Sequence, residues 1–165
     1  MLAFLKKLTL ATVIAFSFQV LSGCGGSASE LDANRIADAM ALGIAEVASV
    51  VYIDENNDPN KLFGRPNGYQ SAAVLQDVRY YRPGDDLGVA NGATIEIFLS
   101  EDVADSRVDL VTSFGQYAER YGKVVLRAEG AMKPSEFDVY RERFLEAVKT
   151  GKATKSVERS VGQEV

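Results

Sequence analysis

Histidine and tryptophan are absent from the 165-residue chain, and cysteine occurs only once. Without histidine, the chain cannot build a Ser-His-Asp or Cys-His catalytic centre or a metal site with histidine ligands. A single cysteine excludes a disulfide bond within the chain, so we expect packing to supply the stability. The nucleotide-binding motifs GxGxxG and GxxxxGK[ST] are also missing. These absences exclude the commonest catalytic and cofactor-binding centres, and we expect no cofactor.

The first residues have the pattern of a secretory signal. Lys6 and Lys7 form a short positive region, and a mainly apolar segment from Leu8 to Leu21 follows. This segment is shorter than the roughly 20 residues that a transmembrane helix needs. We therefore predict that residues 1–23 are a signal peptide that is removed.

The signal ends in Leu21-Ser22-Gly23-Cys24, which resembles the lipobox of bacterial lipoproteins. In that family the cysteine thiol is joined to diacylglycerol and the bond before it is cut. The resemblance implies cleavage between Gly23 and Cys24 and a lipid on Cys24. Two acyl chains suffice for stable anchoring, because each buried methylene contributes about 0.8 kcal/mol. The alternatives are an ordinary secretory signal with a stray thiol, or an uncleaved anchor. The implied location is the bacterial cell membrane or the outer membrane, with the domain outside the cytoplasm.

The chain beyond the signal divides into a tether, one domain and a tail. Residues 24–30 are predicted to be a flexible tether, residues 31–151 a single domain, and residues 152–165 a disordered tail. The net charge of the full chain is −5, and loss of Lys6 and Lys7 with the signal makes it −7. An acidic domain argues against nucleic acid as a partner, so contact with the membrane depends on the lipid.

Hydrophobic periodicity predicts an α+β domain with the element order α-β-β-α-β-α. Helices are expected over residues 31–51, from residue 100 to the break at Gly122, and over residues 134–149. Strands are expected over residues 71–81, 93–99 and 123–128. Ser100 suits the start of the second helix, because its hydroxyl can cap free backbone amides. In the last helix the apolar stripe consists of Phe137, Tyr140, Phe144 and Val148.

The predicted sheet has three strands and is mainly antiparallel. Because a helix separates the second and third strands, we expect both to run in the same direction, with the first strand between them and antiparallel to each. This is a split βαβ arrangement, half of a ferredoxin-like fold. With the helices on one face, the other face would remain uncovered as a docking or dimer surface.

The segment DENNDPN has part of the pattern of a calcium loop. Four oxygen-bearing residues are spaced like positions one, three, five and seven of an EF-hand: Asp54, Asn56, Asp58 and Asn60. However, Pro59 stands where that loop needs glycine, and Arg65 where it needs glutamate. We therefore predict no metal site and interpret the segment as a solvated connector whose side chains cap the backbone. A calcium-stabilised structural module is kept as an alternative.

The following segment, KLFGRPNGYQS, combines turn-forming residues with apolar and aromatic ones. We expect Leu62 and Phe63 to hold this loop on the core; the alternative is that they form an exposed contact patch. Arginine and tyrosine are common interface anchors. The candidate binding residues are Phe63, Arg65, Asn67 and Tyr69.

Two pairs of adjacent acids, Asp85-Asp86 and Glu101-Asp102, raise the alternative of a hydrolase that uses carboxylates alone. Such an enzyme needs two carboxyl groups about 5–10 Å apart across a cleft, one of them with a raised pKa. Adjacent acids in a loop or at a helix start do not provide that arrangement. We therefore do not expect an enzyme.

The runs DPNKLFGRPNGY, GATIEIF and KVVLRAEGAMKPSE together resemble a group of small bacterial lipoproteins, over about residues 54–148. The resemblance supports a single domain and carries no functional residue over. We expect a lipid-anchored envelope protein that acts as a non-enzymatic binding module. Its expected partners are the membrane, reached through the lipid, and an envelope protein or a small ligand. A carboxylate-only hydrolase of envelope polymers remains an alternative.

Overall fold

The structure, a computed structural model, describes residues 31–81 and 91–150. It is an α+β fold, and both this class and the presence of three helices are confirmed. The elements are α1 Ala33–Ala41, β1 Val47–Ile53, β2 Tyr69–Asp77, β3 Gly92–Phe98, α2 Glu101–Ser113, β4 Tyr117–Tyr121, β5 Val124–Ala128 and α3 Pro134–Thr150. The predicted signal and lipobox, the tether, Asp85-Asp86 and the predicted tail lie outside the described residues.

The five strands form one open sheet with the order β1-β2-β3-β5-β4, in which every neighbouring pair is antiparallel. One row of directly opposed residues crosses the whole sheet: Tyr52, Ala73, Ile95, Leu126 and Glu119. Because successive residues of a strand point to opposite faces, each row belongs to one face and its neighbours to the other.

Helices α1 and α3 cover the first face of the sheet. They pack against each other and bury a core that includes Leu75, Ile95 and Leu126. The predicted stripe of α3 (Phe137, Tyr140, Phe144 and Val148) is buried here, as expected. None of the helices in residues 31–81 and 91–150 has the length and apolar character needed to span a membrane.

Helix α2 and the loop between β1 and β2 cover the second face. Ser100 is the N-cap of α2, as predicted, and its hydroxyl accepts a hydrogen bond from the backbone of Val103 at 3.4 Å. The helix contributes Ala104 to a second, smaller core. The expectation of an uncovered sheet face is therefore wrong, because helices lie on both sides.

The predicted first helix is wrong in its second half. Helix α1 begins after Asp32, whose side chain caps Asn34, and ends at Ala41, and residues 47–53 form β1 instead. The sequence of β1, VASVVYI, is rich in β-branched residues, which favour a strand. The spacing of three or four residues between Ile44, Val47 and Val51 extended the helical pattern into a segment that pairs with β2.

The predicted second helix also ends too late. Gly115 follows α2 with a φ of 78°, a left-handed conformation that glycine adopts easily, and β4 begins two residues later. Strand β4 pairs with β5 in a hairpin that turns at Gly122, which has a φ of 56°. This extra strand reverses the chain, so β5 is antiparallel to β3 rather than parallel.

The three-stranded split βαβ sheet is consequently wrong as well. The middle strand of the sheet is β3, whereas the predicted middle strand corresponds to β2. Strand β2 runs from Tyr69 to Asp77, two residues earlier at its start and four earlier at its end than expected.

Candidate functional site

The segment from Asp54 to Gly68, which we call the β1–β2 loop, packs onto the second face of the sheet. Leu62 and Phe63 are half-buried and pack against the smaller core, so they hold the loop on the domain as expected. Phe63 meets the ring of Tyr69 edge-on, with the ring centroids 6.3 Å apart. Tyr69 in turn meets Phe98 at 6.4 Å. A chain of aromatic contacts therefore joins the loop to β3.

Asp58 is the internal anchor of this loop. Only 2% of its surface is exposed, and its carboxylate accepts hydrogen bonds from the backbone of Asn60, Leu62 and Phe63 at 2.9, 2.6 and 2.8 Å. The Tyr69 hydroxyl donates a further hydrogen bond to it. Burial by itself would raise the pKa of Asp58, but these hydrogen bonds outweigh it and the pKa is lowered. Asp58 is therefore held as an anion whose two oxygens are both occupied.

The backbone of the loop is tight and partly strained. Lys61 and Asn67 have φ angles of 54° and 62°, and for a residue with a Cβ this conformation costs about 1–2 kcal/mol. A Cβ on Gly68 would lie 1.9 Å from the backbone oxygen of Leu62, so glycine is required at that close approach. The loop is thus held in one shape by backbone turns, by the Asp58 anchor and by its apolar contacts.

A cleft of about 230 Å³ opens in this loop. Its lining residues are Glu55, Asp58, Lys61, Phe63 and Arg65. The side chains of Lys61 and Arg65 are exposed and make no ion pair with another described residue. The cleft therefore combines two cations that pair with no other described residue, one exposed acid and one aromatic wall, a set of groups that can bind a small polar ligand.

The four predicted binding residues have three different environments. Phe63 and Arg65 line the cleft, and Asn67 lies in an exposed turn beside it. Tyr69 is 2% exposed, so its side chain is part of the core and supports the loop rather than reaching a ligand. Burial raises the pKa of Tyr69, and its hydrogen bond to Asp58 raises it further. Sequence reasoning missed Glu55 and Lys61, because the fold of the loop alone brings them to the cleft.

The calcium-like residues serve the backbone in this structure. Asp54 accepts hydrogen bonds from the amides of Asn56 and Asn57 at 2.7 and 3.1 Å, and Asp58 is occupied as described. Asn60 donates its own amide to Asp58. Across residues 31–81 and 91–150, no group of three or more Asp, Glu or Cys side chains is placed to hold a metal ion. The carboxylates of Asp54 and Asp58 thus cap local backbone amides, and Asn56 and Asn60 contribute amides of their own to these caps, as the connector interpretation expects in part.

Behind the loop, Glu96 of β3 forms a buried ionic triad with two arginines. Arg107 of α2 binds its carboxylate with two hydrogen bonds of 2.8 Å, and Arg127 of β5 adds a third, also of 2.8 Å. Burial would raise the pKa of Glu96, but the two guanidinium groups outweigh it and the pKa is lowered. The triad joins α2, β3 and β5, and nothing in the sequence pattern singled it out.

A second ionic cluster lies where β2 ends and α3 begins. Arg79 bridges two carboxylates, with its Nη2 2.5 Å from Asp77 and its Nη1 3.1 Å from Glu136. Tyr140 donates to Asp77 at 2.9 Å, and Tyr80 donates to Glu136 at 2.5 Å. The hydrogen bond from Tyr80 is the main cause that lowers the pKa of Glu136. This cluster links the end of β2 to the start of α3.

The acids of the cleft and of α2 can be compared with the pair of carboxyl groups that a hydrolase needs. The cleft holds two acids, Glu55 and Asp58, but the lowered pKa of Asp58 is the opposite of what a general acid needs. Glu101 belongs to the first turn of α2 and pairs with Arg120 at 3.2 Å, as a helix start would use it.

Comparison with known proteins adds no constraint. No family model, no curated protein and no solved structure matches this chain.

Proposed function

We propose that the protein is a lipid-anchored protein of the bacterial envelope that works by binding, without catalysis, through the cleft of the β1–β2 loop. The observation that carries the binding proposal is the cleft itself. It is preformed, it presents Lys61 and Arg65, which have no ionic partner among residues 31–81 and 91–150, and Phe63 supplies an aromatic wall.

A preformed cleft favours binding because little conformational entropy is lost when the ligand enters. Asp58 holds three backbone amides and the Tyr69 hydroxyl, so the loop has its shape before any ligand arrives. Within the part of the chain that the structure describes, no ion pair has to be broken before a ligand reaches the two cations.

The absence of catalysis is inferred from the chemistry of the acids. Among the described residues, three carboxyl groups have pKa values clearly displaced from the ordinary value, and all three are lowered: Asp58, Glu96 and Glu136. Each is tied to arginine, tyrosine or backbone donors. These acids are arranged to stay ionised and to hold the structure together, and proton transfer to a substrate needs the reverse.

The anchor is proposed from Leu21-Ser22-Gly23-Cys24 and the preceding apolar segment. The five residues 25–29 of the tether reach about 17 Å when fully extended, so the tether would keep the domain close to the bilayer. With a net charge of −7 after loss of the signal, the domain itself is not attracted to an anionic membrane.

We expect the Cys24→Ser variant to leave the membrane fraction, or to accumulate as an uncleaved precursor, because no thiol remains for the lipid. Fractionation of cells and immunoblotting measure this. Intact-mass analysis of the native protein provides the decisive check. A free thiol on Cys24 in the mature protein would refute the anchor.

Binding through the cleft is tested by placing a photoreactive amino acid at position 55, on the cleft, and separately at position 35, on α1 across the sheet. Irradiation of intact cells should give defined crosslinked species from position 55 that are missing from position 35. Identical products from both positions, or none from position 55, would contradict the proposed binding surface.

A further inference from the structure

We propose that the cleft binds an anionic end group, a carboxylate or a phosphate, held by Lys61 and Arg65, with Phe63 against the adjoining apolar part of the ligand. This inference rests on the proposed function, because it names the ligand class for the same cleft.

The first support is that Arg65, unlike most of the described arginines, forms no ion pair with another described residue. Eight arginines lie in residues 31–81 and 91–150, and six of them form ion pairs. The two that do not are Arg35 and Arg65. Arg65 lines a cleft, whereas Arg35 lies on the exposed side of α1. A guanidinium group that lines a cleft and pairs with no other described residue suits a carboxylate or phosphate, which its planar fork can bind with two hydrogen bonds.

The second support is the position of Lys61. It lines the same cleft as Arg65 but holds a left-handed backbone, with a φ of 54°. Asparagine or glycine would relieve that strain, and the loop does use glycine at Gly64, with a φ of 68°. Strain retained at a cleft residue indicates that its side chain serves a purpose other than stability. Here the side chain supplies a second positive charge beside Arg65.

The two acids of the cleft restrict which anions can bind there. Asp58 is saturated by four donors, and the charge of Asp58 also acts on Arg107 behind the loop. Glu55 is exposed and can accept a hydrogen bond from an N–H or O–H next to the anionic group. Its charge also disfavours ligands that carry several negative charges. A singly charged end group with a neighbouring donor fits this arrangement best.

The size of the cleft points to an end group rather than to a long polymer segment. A volume of about 230 Å³ corresponds to several water molecules, since each occupies about 30 Å³ in the liquid. The end of a peptide, with its free carboxylate and its last N–H, has these dimensions and this chemistry.

The test uses the full-length protein in a non-ionic detergent and three probes: N-acetylalanine, its neutral amide, and inorganic phosphate. NMR shifts of the Phe63 amide and of the Arg65 Nε–H report on the cleft. We expect saturable shifts with N-acetylalanine, with a dissociation constant of about 1 mM or lower, and none with the amide. Saturable shifts with phosphate would also support the anion site and would indicate a phosphorylated end.

Three variants provide the controls. Arg65→Gln should weaken anion binding about tenfold, because it removes charge-assisted hydrogen bonds. Lys61→Asn should also weaken it while keeping the left-handed backbone, and its melting temperature should not fall. Arg35→Gln makes the same charge change on the opposite side of the sheet and should leave binding unchanged. Thermal melting verifies that each variant is folded.

Several results would overturn the proposal. The proposal fails if neither N-acetylalanine nor phosphate binds. It also fails if N-acetylalanine and its neutral amide bind equally well. Equal loss in Arg65→Gln and Arg35→Gln would show only general attraction to a positive surface. If position 55 still gives specific crosslinks in cells while no anion binds, the proposed function stands and the ligand class is wrong.

Discussion

Asp58 shows how a single carboxylate can organise a loop of polar residues. It is buried at the base of the β1–β2 loop and accepts hydrogen bonds from three backbone amides and from Tyr69. Hydrogen bonds to a charged group are stronger than those between neutral groups. A buried acid with this number of donors therefore stabilises the loop, and the cleft depends on it.

At this scale we predict that Asp58→Asn lowers the free energy of unfolding by about 2–3 kcal/mol, because the amide removes the charge and half of the acceptor capacity. Urea unfolding followed by far-UV circular dichroism measures the change. Asp54→Asn is the matched control. Asp54 is exposed and accepts two local amide hydrogen bonds, so its loss should cost less than about 1 kcal/mol. Equal losses in the two variants would contradict an anchoring role for Asp58.

The sequence could identify Asp58 as an oxygen ligand but could not say what it binds. Alternating Asp and Asn residues are compatible with a calcium loop and with side chains that cap the local backbone. The choice depends on Tyr69, which lies eleven residues further along the chain and is brought to Asp58 by the start of β2. The same limit applies to Lys61, whose left-handed backbone does not follow from its residue type.

At the scale of elements, the Glu96 triad fixes how α2 lies on the sheet. Glu96 is in the middle strand, Arg107 belongs to α2, and Arg127 belongs to β5. The helix adds only Ala104 and Val111 as fully buried residues, so the ionic contact is a large part of its attachment.

We predict that Glu96→Gln destabilises the protein by about 3–5 kcal/mol, because it leaves two largely buried arginines without a counter-charge. The measurement is the midpoint of urea unfolding together with its slope. Glu101→Gln serves as the control, since Glu101 forms an exposed ion pair with Arg120 and should cost less than about 1 kcal/mol. If Glu96→Gln were as mild as Glu101→Gln, the triad would not determine the position of α2.

Helices and strands were predicted accurately in segments where a single hydrophobic pattern, helical or extended, dominated. The last helix has a full apolar stripe with proline at its start, and β3 has a run of β-branched and aromatic residues. The predicted ends of both elements lie within one residue of the observed ends. Strands β1 and β4 were missed, because each follows a helix closely and continues an apolar spacing that is compatible with a helix. Only pairing with β2 and with β5 makes them strands.

At the scale of the whole molecule, we predict that stability falls in acid and hardly changes between pH 6 and 8. The pKa values of Asp58, Glu96 and Glu136 are lowered in the folded protein, so below about pH 4.5 the unfolded chain binds more protons and gains stability relative to the folded one. Near neutral pH the chain has no histidine to titrate.

At alkaline pH we also expect the stability to fall, but here the cause is the ionisation of tyrosines. Burial and the hydrogen bond to Glu136 raise the pKa of Tyr80 to about 12, and the pKa values of Tyr69 and Tyr140 are also raised. Tyrosines in the unfolded chain lose their protons first, so stability is lost as the pH rises above about 10. Urea midpoints at pH 3.5, 5, 7 and 10.5 test both limbs. The acid limb should be shallower in Glu96→Gln, and equal midpoints at pH 7 and 3.5 would contradict the argument.

The sequence by itself determined what depends on residue type and local spacing. It excludes histidine chemistry and disulfide bonds, sets the acidic charge, and specifies the Ser100 cap and the stripe of α3. Tertiary structure alone decided which strands are neighbours and which charges are paired. Those outcomes depend on contacts between distant parts of the chain, such as Glu96 with Arg127. For the same reason, only the folded loop distinguishes Asp58, which is saturated internally, from Arg65, which lines the cleft and pairs with no other described residue.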